Sequence, residues 1–364
     1  MLGTEIENIK KISGRRFSLQ YIDSIINIEN NSSSQVFDNI IEFFKLYFDE
    51  HNEWSEKALK NLLFFNYDLY RTKIKKYCKD IKQQKKIRVS SAVKFNLSVN
   101  QYHQEDYEIF EYIQNNTVIL FNYKHNEIYC FIDNTSEIAI VEFIRDIIIK
   151  DQENKGTIIL HSAAVEKNGK VYPISGMKGA GKSTAVMELI FNGNFSFFTG
   201  DKLFIRNEAG QLLVKGWPDY PHLGVGTIKN HQELMDNFPE YDFSNMNVND
   251  KLLLDVSRFY KIKQLKPNNK KLPLAFFIIP SFNTNEKNVF EEDLNFLENI
   301  KNLIEYKEDF EMAQWHNLIP KQYNRNQIVN SFMEKIGTIK AYTWSGMFSI
   351  NKINSHFEHF VNGE

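Results

Sequence analysis

Cysteine is nearly missing from this sequence: 364 residues carry only Cys78 and Cys130. Two such thiols give neither a disulfide framework nor a metal-binding spacing. No apolar stretch approaches the roughly 20 residues a membrane-spanning helix needs, and the opening Met1-Leu2-Gly3-Thr4-Glu5-Ile6-Glu7 lacks the apolar run of a secretory signal. An excess of charge is absent as well. Lys and Arg total 44 against 46 Asp and Glu, a net charge of −2, so no global field draws the chain to nucleic acid or a membrane. The expectation is a cytoplasmic protein with no membrane partner, for which nucleic acid is not expected either. The length suggests two domains or one elaborate one, with ample chain to bury a core.

What the sequence does contain is Ile174-Ser175-Gly176-Met177-Lys178-Gly179-Ala180-Gly181-Lys182-Ser183-Thr184, a complete G-x-x-x-x-G-K-S phosphate-binding loop. A loop that wraps a polyphosphate must turn successive backbone N–H groups inward, which side chains at Gly176, Gly179 and Gly181 would obstruct. The motif assigns Lys182 to the β- and γ-phosphates and the Ser183 hydroxyl to Mg²⁺, with residues 176–184 as the nucleotide cradle. A helix follows through Phe191 and stops at Asn192-Gly193, so its positive N-terminal end faces the phosphates. ATP and Mg²⁺ are therefore the expected cofactors.

The first half reads as an α+β domain over residues 1–150. Residues 1 to about 34 suggest short strands and loops, broken at Asn30-Asn31-Ser32-Ser33-Ser34. Helical spacing at Val36, Phe37, Ile40, Ile41, Phe44, Tyr47 and Phe48 predicts one helix, and Ser55 is placed to cap a second that carries Leu59, Leu62, Leu63, Tyr67 and Tyr70. From Arg71 to Arg88 the chain is strongly basic, and Lys75, Lys79, Lys82 and Lys86 would share a helical face. Such a face is commonly just solvated, and Tyr77 is the lone aromatic in the run, where single-strand binders interleave several. Strands are predicted over 88–97, 117–121 and 127–132, then a helix from Ser136 to Lys150. The polar Asp151-Gln152-Glu153-Asn154-Lys155-Gly156 marks the domain boundary.

The second domain, 151–364, opens with strands Thr157–Glu166 and Lys170–Ser175 joined by Asn168-Gly169, a dipeptide suited to a tight hairpin. A hairpin in front of the loop, where a doubly wound fold would place a crossover helix, predicts a mixed or antiparallel sheet. Pro173 lacks a ladder donor and suggests an edge or an irregularity. After the loop helix, the strand Phe195-Ser196-Phe197-Phe198-Thr199 leads to Gly200-Asp201, an acid placed to hold Mg²⁺ opposite Ser183. The Gly216–Ile228 stretch reads as a functional loop; Lys251 and Arg258 flank the next strand, where either could reach a phosphate oxygen, a solvated cation being the default for each alone. From Asn288 onward the sequence suggests acidic amphipathic helices and a returning strand at Thr338–Trp344, with no chemistry; His316 reads as structural or surface.

Leu160-His161-Ser162-Ala163-Ala164-Val165, the hairpin, the phosphate loop and the acid after it together resemble the HPr kinase/phosphorylase superfamily, in particular the HPr kinase-like kinases found with peptide-modification systems. The resemblance covers about residues 157–280 and hardly touches the first half. It implies a mixed-sheet core shared with phosphoenolpyruvate carboxykinases, within an α/β class with α+β tendency. It also implies transfer of phosphate from ATP·Mg²⁺ to a Ser or Thr hydroxyl of a peptide or small protein. Matched position by position, Lys182 and Ser183 are the nucleotide and metal residues, and His161 is the histidine beside the catalytic acid Asp201. Gly224-Val225-Gly226-Thr227-Ile228 looks like the family's glycine-rich signature, without the arginine expected before it. The family also shows two adjacent acids after the loop helix; here Gly200 precedes Asp201 and Lys202 follows, so base catalysis falls to Asp201 or His161. Other readings stay open: a nucleotide-binding regulator impaired by Gly200, a nucleic-acid-stimulated ATPase using the 71–88 run, and phosphorylase or carboxykinase chemistry. The sequence leaves an oligomer open.

Overall fold

The computed structural model describes residues 1–90, 95–177, 179–282, 289–306 and 315–346. The fold is mixed α/β with α+β character, its sheets combining parallel and antiparallel pairs. The chain divides into two compact units. One is residues 1–154 with a later segment that includes Trp315–Gln322; the other is Lys155–Tyr306 with the chain from Tyr323 onward.

In the first unit the strands are β1 (Arg15–Tyr21), β2 (Ser24–Asn31), β3 (Asp49–His51), β4 (Lys60–Asn66), β5 (Gln83–Ser90), β6 (Phe95–Gln104), β7 (Tyr107–Tyr112), β8 (Val118–Phe121) and β9 (Glu127–Ile132). They form one sheet in the order β3-β1-β2-β4-β9-β8-β7-β6-β5, parallel only along β2, β4 and β9. Helix α1 (Leu2–Ile9) covers one face, where Leu2, Ile6 and Ile9 join Leu63, Phe65, Tyr70, Ile74 and Phe131. Against the other face α2 (Gln35–Lys45) brings Phe37 edge-on to Phe17 and Phe64, with centroids 6.3 and 5.2 Å apart.

Two expectations for residues 55–90 fail here. The helix predicted from Ser55 through Tyr70 is instead the central strand β4 followed by a single turn α3 (Tyr67–Leu69). Leu62, Leu63, Phe64 and Phe65 are all buried, because a strand covered on both faces needs no alternation, and a short apolar run then mimics helical spacing. The single lysine face is likewise absent: the run divides between a π-helical turn at Tyr70–Ile74, a 3₁₀ turn at Lys75–Tyr77 and strand β5. Its cations meet acids, Lys75 at 2.6 Å from Glu111, Lys76 at 3.0 Å from Glu5, Lys82 at 3.7 Å from Glu108, and Arg88 against Glu142. The strand predicted over 88–97 is shared between β5 and β6, and residues 91–94 lie outside the described residues. Glu127–Ile132 is a strand as expected, and the helix expected over 136–150 is α4 (Glu137–Asn154).

Trp315–Gln322, assigned from sequence to the second domain, belongs to the first unit. The Trp315 indole packs edge-on against Phe110 and Phe143, with centroids 5.3 and 5.8 Å away, and Lys85 Nζ donates to its carbonyl at 3.1 Å. The next residue, His316, is buried with Nε2 2.9 Å from Asp146 Oδ2. Large aromatic surfaces decide the placement, and sequence order does not.

The second unit begins with β10 (Ile158–Lys167) and β11 (Lys170–Ser175), paired antiparallel. Asn168 and Gly169 both take positive φ, 55° and 74°, as the tight turn requires. Next come α5 (Lys182–Gly193), β12 (Ser196–Thr199), β13 (Lys202–Glu208), β14 (Gln211–Gly216), β15 (His222–Gly224), α6 (Val225–Lys229), α7 (Gln232–Asn237), β16 (Lys251–Leu253) and α8 (Val256–Phe259). The last are β17 (Leu272–Pro273), β18 (Phe277–Phe282), β19 (Val289–Glu292), α9 (Phe296–Ile300), α10 (Arg325–Ile336) and β20 (Ala341–Gly346). The main sheet runs β17-β14-β13-β10-β11-β18-β20-β19 with β12 also against β10. It is mixed: β11, β18 and β20 are mutually parallel and the other pairs antiparallel. Pro173 is not at an edge, since β11 lies between β10 and β18. On that side the pairing is thin, a single pair with β18 at Ile174↔Ile278 and an isolated bridge at Val171↔Leu274 ahead of it, so no partner there requires an N–H at position 173. α10 and α9 supply Phe332, Ile336, Phe296 and Ile300 to the core beneath β10, β13 and β14.

Candidate active site

Strand β10 organises the site because two strands share one of its edges. Its first half, Ile158–His161, pairs with β13, and its second half, Ala164–Glu166, pairs with β12. The chain therefore crosses from β12 to β13 through Gly200-Asp201 immediately beside His161 and Ser162, and the Ser162 N–H donates to the Asp201 carbonyl at 2.9 Å. On the other edge β11 ends at Ser175, whose buried hydroxyl lies 2.8 Å from that of Ser162. The strand that carries His161 thus fixes both the start of the phosphate loop and Asp201.

The loop leaves β11 at Gly176 and enters α5 at Lys182. Gly179 and Gly181 both adopt φ of 91°, a region where a Cβ is strained, and Gly181 caps the helix in that conformation. Gly176 is also crowded: a Cβ there would come 3.1 Å from that of Ala180. Lys182 Nζ reaches back across the loop and donates to the Gly176 carbonyl at 2.7 Å and the Met177 carbonyl at 3.4 Å. Burial pulls the Lys182 amine below the usual lysine range; Asp201 and Glu305 oppose the shift and Lys251 adds to it. These four charges are therefore within electrostatic reach of one another. Ser183 opens α5 with partial exposure, and the Thr184 hydroxyl lies 2.8 Å from that of Thr227 on α6. Met177 is 70% exposed at the loop tip. Lys178 lies outside the described residues.

His161 Nδ1 stands 3.4 Å from Asp201 Oδ1 and 3.4 Å from Glu305 Oε1. Lys202, opposite His161 in the β10–β13 register, contacts Glu305 and lies 3.8 Å from Asp201 Oδ2. Glu305 is held there by the backbone, its N–H donating to Ile159 O at 2.8 Å beside a bridge between Leu160 and Ile304. Burial works to raise the Glu305 carboxyl, but the hydrogen bond from His161 and the Lys202 ammonium overcome it and bring the group down to about 2. The result is a compact acid–base cluster: two carboxylates, one imidazole and one ammonium.

Sequence reasoning found His161, Lys182, Ser183 and Asp201, which the β10, β11 and α5 junctions bring to one end of the sheet. It missed Glu305. An acid after the apolar Leu303-Ile304 carries no motif, and only the pairing of Ile304 with Leu160 brings it to the site. Arg258 serves structure: its guanidinium contacts Glu240 at 2.8 Å and lies over the Phe238 ring. Lys251 is exposed on β16, opposite Gly224. Within the Gly216–Ile228 stretch, residues 217–221 form a loop as expected, and His222–Gly224 and the residues from Val225 form β15 and α6. Gly224 precedes α6, and the N–H groups of Val225 and Gly226 donate to Asp250 O and Val248 O at 2.8 and 3.0 Å.

The residues suit a nucleotide with Mg²⁺. The loop is shaped by glycines at positive φ, Lys182 reaches across it, and the Ser183 hydroxyl and the Asp201 carboxylate belong to the same end of the sheet. Among the described residues no group of three or more His, Cys, Asp or Glu side chains is arranged to hold a metal ion. Among the described residues no helix is long and apolar enough to cross a membrane. No protein-family model matches this sequence, and no curated protein sequence matches it.

Proposed function

We propose that this protein is an ATP- and Mg²⁺-dependent kinase acting on a Ser or Thr hydroxyl of a peptide or small protein. The observation that carries the reading is the junction at β10, where a glycine-shaped loop with Lys182 stands beside the His161–Asp201 pair. The likeness of residues 157–280 to HPr kinase-like kinases points the same way.

Lys182 and the loop amides would hold the β- and γ-phosphates, with the α5 N-terminus adding its dipole. Ser183 and Asp201 would hold Mg²⁺, which supplies charge neutralisation on the transferred group. In the reaction the acceptor oxygen forms the new P–O bond as the bond from the γ-phosphorus to the bridging oxygen breaks and ADP leaves. The hydroxyl proton passes to a base of this chain, for which the cluster offers His161 and Asp201. Lys251 adds a second cation near Lys182. The first unit is assigned to acceptor recognition.

A nucleotide-binding regulator without transferase activity would rest on Gly200 in place of an acid. A nucleic-acid-stimulated ATPase is disfavoured by the ion pairs that engage Lys75, Lys76, Lys82 and Arg88. The test is transfer of label from γ-labelled ATP with Mg²⁺ into a peptide pool and a low-molecular-weight extract of the source cell, with Lys182→Ala as control. A labelled product lost in the variant supports the kinase. ATP binding with no product in the wild type overturns it in favour of the regulator.

A further inference from the structure

Building on the kinase reading, we propose that Glu305 is a positioning residue: with Asp201 it holds His161 in the Nδ1–H tautomer, so that Nε2 presents the lone pair that takes the acceptor hydroxyl's proton. Two carboxylates flank the same ring nitrogen at 3.4 Å each. A carboxylate can only accept a hydrogen bond, so the nitrogen between them must carry a proton. In the neutral ring the other nitrogen is then the acceptor. Free imidazole has no such constraint, and a carboxylate behind the ring is the usual way a chain fixes which nitrogen does chemistry.

Lys202 gives Glu305 its charge. It faces His161 across the β10–β13 pair and contacts the Glu305 carboxylate while staying 3.8 Å from Asp201. The groups facing the imidazole are thus Asp201 and Lys202 from the β12–β13 turn and β13, and Glu305 from the segment after α9. Glu305 enters from a distant part of the chain and supplies a second carboxylate that the Gly200-Asp201 turn lacks.

The test uses the full chain with ¹⁵N-labelled histidine, the His161 signals being identified by their loss in His161→Gln. With the spectrum taken at an alkaline pH where the ring signals no longer change, wild-type His161 is expected to show a protonated Nδ1 and an unprotonated Nε2. In Glu305→Gln, Lys202 retains the amide oxygen and the amide NH₂ turns to the ring, so the Nδ1–H form, held by Asp201 alone, should lose population to Nε2–H; Glu305→Asp should restore the wild-type pattern. Turnover should fall about 10- to 100-fold in Glu305→Gln with the KM for ATP unchanged, the usual cost of removing an orienting partner. A wild-type ring in the Nε2–H form, or a tautomer unmoved in Glu305→Gln, overturns the proposal. If Glu305→Gln does not fold, the wild-type tautomer and Glu305→Asp decide alone. Absence of phosphate transfer by a wild-type protein whose tautomer follows Glu305 overturns the kinase reading and leaves the positioning role supported.

Discussion

Thr184 Oγ1 lies 2.8 Å from Thr227 Oγ1, which ties the helix of the phosphate loop to the short helix that begins after Gly224. Thr227 is buried and Thr184 partly so, and replacing one partner leaves the other hydroxyl without its bond in a partly dry setting. Thr227→Val keeps the shape and removes the bond. It should cost about 1 to 2 kcal/mol, the range for an orphaned buried polar group, read as a lower urea midpoint at unchanged slope. Because α5 carries Lys182 and Ser183, ATP affinity should fall with it; unchanged stability and affinity would show that the link does not matter.

The acid side of the stability profile should report on Glu305. Its folded-state value of about 2 lies below the ordinary 4.5, so the unfolded chain binds the proton more readily. The contribution is present above about pH 4.5 and is lost as the pH falls from there toward 2. Its side chain is 23% exposed, and the linkage corresponds to at most about 3 kcal/mol. Urea midpoints measured between pH 3 and pH 6 should fall more steeply for wild type than for Glu305→Gln. Equal slopes would mean that the Lys202 and His161 contacts do not hold the carboxylate ionised.

Where a residue's role is set by its neighbours in sequence, it was legible. The glycines at 176, 179 and 181, the Asn168-Gly169 turn and the strand before Asp201 are local, and each falls where the sequence places it. The mixed sheet was legible too, because a two-residue turn forces antiparallel pairing in front of the loop. Roles set across the chain were not legible. β4 reads as a helix because Leu62 to Phe65 are buried on both faces, and Trp315 joins the first unit through aromatic contacts that no spacing encodes. Glu305 is the same case at the candidate site. A backbone bridge between Leu160 and Ile304 makes the cluster, and such long-range pairing has no one-dimensional signature.

Gly179 tests the loop independently of the acid–base cluster. Its φ is 91° and a Cβ there meets nothing within 4 Å, so Gly179→Ala adds backbone strain without a clash. The cost should be about 1 to 2 kcal/mol, the left-handed penalty for an L-residue. Strain in the loop should also shift the amides that hold phosphate, so calorimetry should find weaker ATP binding together with the stability loss. Wild-type affinity in Gly179→Ala would remove the loop's claim to a phosphate.

The basic run offers a test with the opposite expectation. Lys75, Lys76 and Lys82 already face Glu111, Glu5 and Glu108, and binding a polyanion would require breaking those pairs as well as releasing counterions. Neither single-stranded nor double-stranded DNA or RNA should bind measurably at about 0.15 M salt, nor should polynucleotide stimulate ATP hydrolysis. Binding whose logarithm falls linearly with that of salt, and which weakens in Lys75→Gln/Lys82→Gln, would reinstate the run as a nucleic-acid surface.

Trp315 should be the costliest single residue of the later segment to lose. Its indole is 3% exposed and touches Phe110, Tyr112 and Phe143 at centroid distances of 5.3, 6.3 and 5.8 Å. Truncation opens a cavity against β7 and α4 that aromatic neighbours cannot fill, so Trp315→Ala should lose about 3 to 5 kcal/mol. Trp315→Phe keeps an aromatic edge and should lose less. His316 follows directly and sits against Asp146 on α4, which also pairs with Lys150, so the alanine variant should also expose the His316–Asp146 contact to solvent. Urea denaturation followed by far-ultraviolet circular dichroism measures the loss, and a Trp315→Ala midpoint equal to wild type would show that the segment contributes nothing to the first unit's core.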